Sequence, residues 1–267
     1  MSLANDPRRI AGHFLDARRA AAGLDAYPGA FPDTLGAAYA IQDAAIAAWD
    51  RPIIGWKVGR VTGALARRSG TDRLAGPIFR ETSADSAAPV AMPVFDKGFA
   101  AGEAEFLLRI GAAPPPGKSA FTLDEAAALI DAVHVGIEIA SSPLGAINEL
   151  GAIAVISDFG NNNGLVVGPA IADWRASDFA QWEVTTAIDG AIVGSGRAAT
   201  SFPDGAIGAA RFLFELMARR GIALAPGQWI SSGAVTGVHP ARPGQIVEAR
   251  FDDRFAIACR IVAAAPE

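Results

Sequence analysis

Cysteine occurs once, at Cys259, so an internal disulfide framework and a thiolate metal cluster are both excluded. Lysine is nearly as scarce: Lys57, Lys97 and Lys118 are the only three, which leaves 20 of the 23 basic residues as arginine. No Lys/Arg run is long enough to track a phosphate backbone, and 28 acids against those 23 bases leave a net charge of −5, so nucleic acid is not an expected partner. Also missing is any apolar stretch near the ~18 residues a spanning helix needs, so no membrane is expected either. The start Met1-Ser2-Leu3 runs into Asp6, Arg8 and Arg9 without a compact apolar segment and cleavage site, and the expected location is cytoplasmic. No GxSxG, Walker or dinucleotide glycine pattern is present. What is there is a foldable chain of 267 residues, 51% hydrophobic and 19% charged, long enough for one large domain or two small ones.

Apolar residues at helical spacing predict a helix from Asp6 to about Leu24, through Ile10, Phe14 and Leu15, and a second from Thr34 through Tyr39, Ile46 and Trp49. Beyond them the character changes. Ile53–Thr62, Phe99–Ile110, Val133–Ala140 and Ala152–Ser157 read as strands between Gly- or Pro-containing loops. Thr122 with Glu125 forms a capping box opening a helix through Ala132, and a further helix runs from Asp204 to near Gly221. Asp189-Gly190 marks a hairpin within Trp182–Gly194, and the last ~25 residues alternate on either side of Asp252-Asp253. The expectation is an α+β chain: a small helical N-terminal part over residues 1–52 and a β-rich body over residues 53–267.

The most informative local pattern is Gly102-Glu103-Ala104-Glu105-Phe106-Leu107-Leu108, because residues i and i+2 of a strand share a face. Glu103 and Glu105 then project side by side while Ala104, Phe106 and Leu108 face a core. Two adjacent carboxylates repel unless a cation sits between them. A divalent metal meets that need, and a solvated edge strand is the other reading of the same pattern. In Val133-His134-Val135-Gly136-Ile137-Glu138-Ile139, Glu138 lies among apolar neighbours, which is costly for a carboxylate unless it is paired or bound, so it is a candidate third oxygen ligand. Three carboxylates suit Mg²⁺ or Mn²⁺ and not zinc. His134 shares the face of Glu138 but sits roughly 13 Å away along the strand, and reads as structural. In Gly55-Trp56-Lys57-Val58-Gly59, a lysine alternates with apolar residues, and the glycines admit close approach of a ligand. Lys57 is either a snorkelling surface residue or a proton donor and acceptor beside the metal.

The segments GWKVGRVT, EAEFLLRIG, GIEIASS and TGVHPARPGQIVEARF, with AAYAIQ at 37–42, resemble the 2-keto-4-pentenoate hydratase and 4-oxalocrotonate decarboxylase group of the fumarylacetoacetate hydrolase superfamily. The resemblance spans nearly the whole chain. It implies a mixed β-sandwich roll with peripheral helices and a homo-oligomer. It also implies Mg²⁺ or Mn²⁺ held by Glu103, Glu105 and Glu138, and a small 2-oxo acid substrate whose oxygens chelate the metal. Lys57 and Asp158 then have catalytic roles, and Gly59, Ser232 and Gly233 contact substrate. The implied activity is a metal-dependent lyase: a hydratase of a 2-hydroxy-2,4-dienoate or 2-oxo acid in aromatic-compound catabolism. A decarboxylase of the 4-oxalocrotonate type, an acylpyruvate C–C hydrolase and a non-catalytic metal- or oxo-acid-binding partner subunit are the alternatives. Two departures bear on the choice. The acidic turn that the family carries after the lysine strand corresponds to Arg73-Leu74-Ala75-Gly76-Pro77, with Asp72 the nearest acid, and Phe159 follows Asp158 where an amide is usual.

Overall fold

The computed structural model describes residues 6–84, 88–202 and 204–267. Residues 1–5, on which the reading of the chain start rests, lie outside them. The larger of two sheets contains β1 (Gly55–Arg60), β2 (Arg73–Ile78), β3 (Glu81–Ser83), β5 (Phe99–Ile110), β6 (Ile130–Ser142), β7 (Asn162–Ala170), β10 (Trp229–Ser231) and β11 (His239–Pro240). The smaller contains β4 (Val90–Val94), β8 (Val184–Ile188), β9 (Ala191–Gly196), β12 (Ile246–Phe251) and β13 (Phe255–Ala263). Strand order is β2-β1-β10-β5-β6-β7-β3, with β11 against β5, and β4-β13-β12-β8-β9. Both sheets mix parallel and antiparallel pairs. Around them lie α1 (Pro7–Arg19), α2 (Leu35–Trp49), α3 (Gly63–Ser69), α4 (Leu123–Ala128), α5 (Ile147–Leu150), α6 (Ala152–Ser157), α7 (Ala198–Ser201) and α8 (Gly205–Arg220). None of these helices is long and apolar enough to cross a membrane.

Local chemistry accounts for most boundaries. Asp6 caps α1 through the Arg8 amide, and Thr34 caps α2 through that of Ala37. The β8–β9 turn puts Asp189 and Gly190 at φ 50° and 82°, the left-handed pair that a tight hairpin requires. Thr122 and Glu125 form the reciprocal capping box of α4. That helix stops at Ala128 and not at Ala132, because Ile130 and Ala132 are drawn into β6 opposite Ile110 and Arg109.

Two expectations are overturned. Ala152–Ser157 is helix α6, not a strand. In so short an apolar run periodicity cannot separate the two states. Here Ala154 buries with α1 and α2, while Ile153 and Ile156 bury with Ala38, so both sides of one helical turn find partners. Arg73–Pro77 is not a turn but most of the buried strand β2, paired with β1 so that Gly76 lies opposite Lys57. A Cβ at Gly76 would stand 2.4 Å from the Phe159 carbonyl oxygen, so only glycine lets β2 pass there.

The main core uses one face of β5. Phe106 packs edge-on against Phe179, Trp182 and Phe251, and Leu213, Phe214 and Met217 of α8 complete the same cluster. The N-terminal helices add a second cluster: Phe14, Leu15, Ile41 and Trp49 close over Leu144, Ile147 and Phe159. One ion pair fixes α1 to the turn between α6 and β7. Arg18 donates to Asp158 through Nε at 2.6 Å and Nη2 at 2.9 Å, and its guanidinium lies between the Phe95 and Phe159 rings. Ser142 donates a further hydrogen bond to Asp158 at 2.6 Å. With side-chain exposures of 4% and 1%, removing either partner strands a buried charge. Arg18→Met is therefore expected to lower stability by about 3–5 kcal/mol in urea unfolding, and adding Asp158→Asn to recover part of that loss.

Candidate active site

Glu103 and Glu138 are direct cross-strand partners on β5 and β6, and Glu105 is one pleat further along β5. β5 lies between β10 and β6, so the acidic face is interior and not a solvated edge. Glu105 and Glu138 are fully buried and Glu103 is 5% exposed. One carboxylate oxygen from each lies within 4.8 Å of the other two, a spacing that can hold a metal ion. Lys57 reaches the group from β1, its Nζ 3.3 Å from Glu138 Oε1. Among the described residues it is the cation that the three carboxylates face.

Two of the three acids, Glu105 and Glu138, are gripped on one side and open on the other. Glu138 Oε1 accepts from Asn162 Nδ2 at 2.8 Å, and Glu105 Oε2 accepts from the Gly233 amide at 2.9 Å and from the Ser231 hydroxyl. The remaining oxygens, Glu105 Oε1 and Glu138 Oε2, are buried without a hydrogen-bond partner. Buried carboxylate oxygens left so are expensive unless something binds them. Three carboxylates and one ammonium leave two negative charges, which a divalent cation on those open oxygens would balance. The all-oxygen donor set is the kind hard cations prefer, so Glu103, Glu105 and Glu138 fit such an ion.

Protonation behaviour follows the same physics. Burial and the Glu138 charge push Glu103 up to about 7, against the pull of Lys57. Burial, then the charges of Glu138 and Glu103, hold Glu105 well above the ordinary carboxylate range. Burial alone would lower the Lys57 ammonium, but the Glu138, Glu103 and Glu105 charges outweigh it and raise its pKa.

Lys57 and Glu103 open into a cavity of about 850 Å³. Gly59 and Gly233 also line it, with Asn161, Phe202 and the apolar residues Leu65, Leu74, Leu150 and Val235. Gly233 adopts φ +113°, and a Cβ there would meet the Phe202 ring at 2.4 Å, so its backbone amide alone occupies the place beside Glu105. Of the residues that sequence selects, Lys57, Glu103, Glu105, Glu138, Gly59 and Gly233 come together. Asp158 and Ser232 do not reach the cavity. Both Asp158 oxygens are committed to Arg18 and Ser142, and the Ser232 hydroxyl donates to the Phe106 carbonyl at 2.7 Å. Asp72 lines a separate groove with Arg73 and Arg211. His134 packs edge-on against Trp229 and bonds the Gly168 carbonyl. Cys259 is buried, and burial pushes its thiol up to about 12.

Sequence reading passed over Asn161, Asn162 and Ser231. Asn161 has φ +61°, donates to Asn148 at 3.2 Å, and keeps a buried Oδ1 without a partner at the cavity wall. The run of three asparagines was its one signal. For Ser231 the signal was adjacency to Ser232; strand alternation turns one hydroxyl to Glu105 and the other to the backbone.

No family model matches the chain, and no curated protein matches it in sequence. Solved structures do match in fold. A 4-oxalocrotonate decarboxylase from Pseudomonas putida G7, complexed with magnesium and adipate, aligns over 96% of this chain and 97% of its own, with TM-score 0.78 and 21% identity. A fumarylpyruvate hydrolase from Pseudomonas aeruginosa, in complex with Mn²⁺ and pyruvate, aligns over 78% and 89% at TM-score 0.54 and 18% identity. A 5-carboxymethyl-2-hydroxymuconate delta-isomerase from Mycobacterium smegmatis aligns over 80% and 81% at TM-score 0.55 and 18% identity. With its two mixed sheets and peripheral helices, the chain carries the fold of these fumarylacetoacetate hydrolase-like enzymes, as the sequence resemblance implied.

Proposed function

We propose that this protein is a metal-dependent lyase of the hydratase/decarboxylase group, acting on a small 2-oxo or 2-hydroxydienoic acid in aromatic-compound catabolism. The observation that carries this reading is the triad of Glu103, Glu105 and Glu138, with unpartnered oxygens on Glu105 and Glu138, beside a cavity lined by Glu103 and Lys57. Mg²⁺ or Mn²⁺ held there supplies Lewis-acid polarisation of the oxo and carboxylate oxygens of a chelating 2-oxo acid. The chain supplies the rest. Ser231 and the Gly233 amide orient Glu105, and Asn162 orients Glu138, so the ligand oxygens are preorganised. Lys57, anchored by Glu138, holds the proton that is exchanged with the carbon chain of the substrate. Leu65, Leu74 and Val235 supply apolar wall for that chain.

Hydration of a 2-hydroxy-2,4-dienoate is the primary reading. Loss of carbon dioxide is the second, and one feature favours it: apart from arginines, Lys57 and Glu103 are the only charged groups in the cavity lining among the described residues, so no separate base stands ready for water. The same lining has no histidine, which leaves acylpyruvate hydrolysis without a His–Glu pair to activate water.

Calorimetry with Mg²⁺ and Mn²⁺, with and without oxalate, tests the site. Oxalate is expected to bind only with metal, and Glu105→Gln and Glu138→Gln to lose both while remaining folded by circular dichroism; unchanged binding in these variants would sink the metal assignment. Ser231→Ala leaves Glu105 in place but loosened, and should weaken metal affinity by about 10–100-fold. Lys57→Met should keep metal-dependent oxalate binding and lose turnover of 2-hydroxydienoates or 2-oxo acids by roughly 10²–10⁴-fold. Turnover near the wild-type rate would remove Lys57 from the proton transfer.

A further inference from the structure

A second cavity, of about 370 Å³, shares no lining residue with the one beside the triad, and its size is within the range that holds small ligands. Its walls are of two kinds. Trp49 at the end of α2, Phe79 just after β2 and Phe95 just after β4 supply aromatic rings, while Arg18, Arg51 and Arg80 supply guanidiniums. The Trp49 and Phe79 rings lie 6.2 Å apart. Arg51 stands 4.6 Å from the Trp49 ring and Arg18 5.3 Å from that of Phe95, so each of these two cations lies over a ring. Against the three arginines, the lining among the described residues has one acid, Glu267. It belongs to the segment after β13, in which the Ala264 amide donates to the Val94 carbonyl at 2.8 Å and the Glu267 amide to the Arg19 carbonyl at 2.9 Å. Between these anchors the segment runs along the cavity, and the Glu267 carboxylate pairs with Arg51. Arg18 is spent inward on Asp158, whereas the Arg51–Glu267 pair is 37% exposed on both sides, an ion pair worth little and easily exchanged.

We propose that this cavity is a binding site for a small planar aromatic carboxylate, whose ring lies among Trp49, Phe79 and Phe95 and whose carboxylate takes the place of Glu267 at Arg51. The chain's own carboxylate shows which group the guanidinium end accepts. The segment that brings it offers the aromatic walls only the small side chains of Ala264 and Ala265, so the ring end stays open. A planar acid meets both ends at once, since the arginine fork matches a carboxylate and aromatic walls pack best against another ring. A bare anion would leave the rings uncovered, and a neutral ring would leave Arg51 with Glu267. The site is separate from the carboxylate triad and does not depend on the metal-centred reading.

Benzoate is the probe, titrated calorimetrically into the full-length protein with Mg²⁺ and excess oxalate present, so that a chelating carboxylate already competes for the triad. Wild type is expected to bind it with a Kd of about 0.1–1 mM, the scale for a ligand of its size. Benzamide keeps the ring without the charge and acetate the charge without the ring, and each should bind at least about tenfold more weakly. Arg51→Leu should weaken benzoate by about 10–100-fold, the worth of a charge-assisted hydrogen-bonded pair, with Arg51→Lys restoring part of it. Glu267→Gln removes the internal competitor and should tighten benzoate by about two- to fivefold. No binding to the folded wild type, acetate or benzamide binding as well as benzoate, or an Arg51→Leu variant that keeps its affinity overturns the site. A Glu267→Gln variant that binds no more tightly overturns the exchange at Arg51. Benzoate that is displaced as oxalate is raised belongs at the triad, and that result overturns the proposal as well.

Discussion

Three carboxylates buried side by side with a single ammonium form the constraint on which the rest of this structure depends. Glu103, Glu105 and Glu138 are all at or below 5% exposure, and Lys57 is the cation they face. Taking such charges out of water is unfavourable unless opposite charge and hydrogen bonds replace the lost hydration. The surroundings meet that demand only in part. Asn162, Ser231 and the Gly233 amide satisfy one oxygen of each of two acids and leave the other oxygen open. A site so built is balanced in one charge state, with a dication present, and that dependence is what suits it to hold a metal ion.

The scaffold holds this arrangement by pairing the two longest strands. β5 and β6 run antiparallel from Phe99↔Ser142 to Ile110↔Ile130, so their two faces are committed together. One face carries Ala104, Phe106 and Leu108 into the main core, and the other carries the acids. A one-residue slip of either strand would exchange these sets. The aromatic packing of Phe106 therefore also fixes where the carboxylates stand. On the far side, Arg18 and Asp158 play a comparable part for the helical layer: they close α1 over the start of β7, the strand that presents Asn162 to Glu138.

Much of this was legible from residue order. The ExE pattern, the lone acid of Val133–Ala140 and the isolated Lys57 stood out because strand alternation assigns faces without knowledge of partners. Hairpin turns and helix caps were legible because Asp189-Gly190 and Thr122/Glu125 act within a few residues of themselves. Ala152–Ser157 was not, since its five apolar residues satisfy either period and only the packing of Ala38, Ile153 and Ile156 decides for helix. Arg73–Pro77 corresponds to a turn only through the family resemblance, and is a strand because β1 offers it a full ladder of hydrogen bonds.

By itself the sequence determined the local periods: which side chains share a face, where helices are capped, and that three acids and one lysine sit on otherwise apolar strands. Tertiary structure alone decided which of these meet. Glu138 is brought opposite Glu103 by strand register, Asp158 is withdrawn from the cavity by an arginine from a distant helix, and Ser231 displaces Ser232 as the hydroxyl at the site. The reason is physical: a side chain's face follows from backbone geometry a few residues long, whereas its partner is chosen by pairing and burial between segments far apart in the chain.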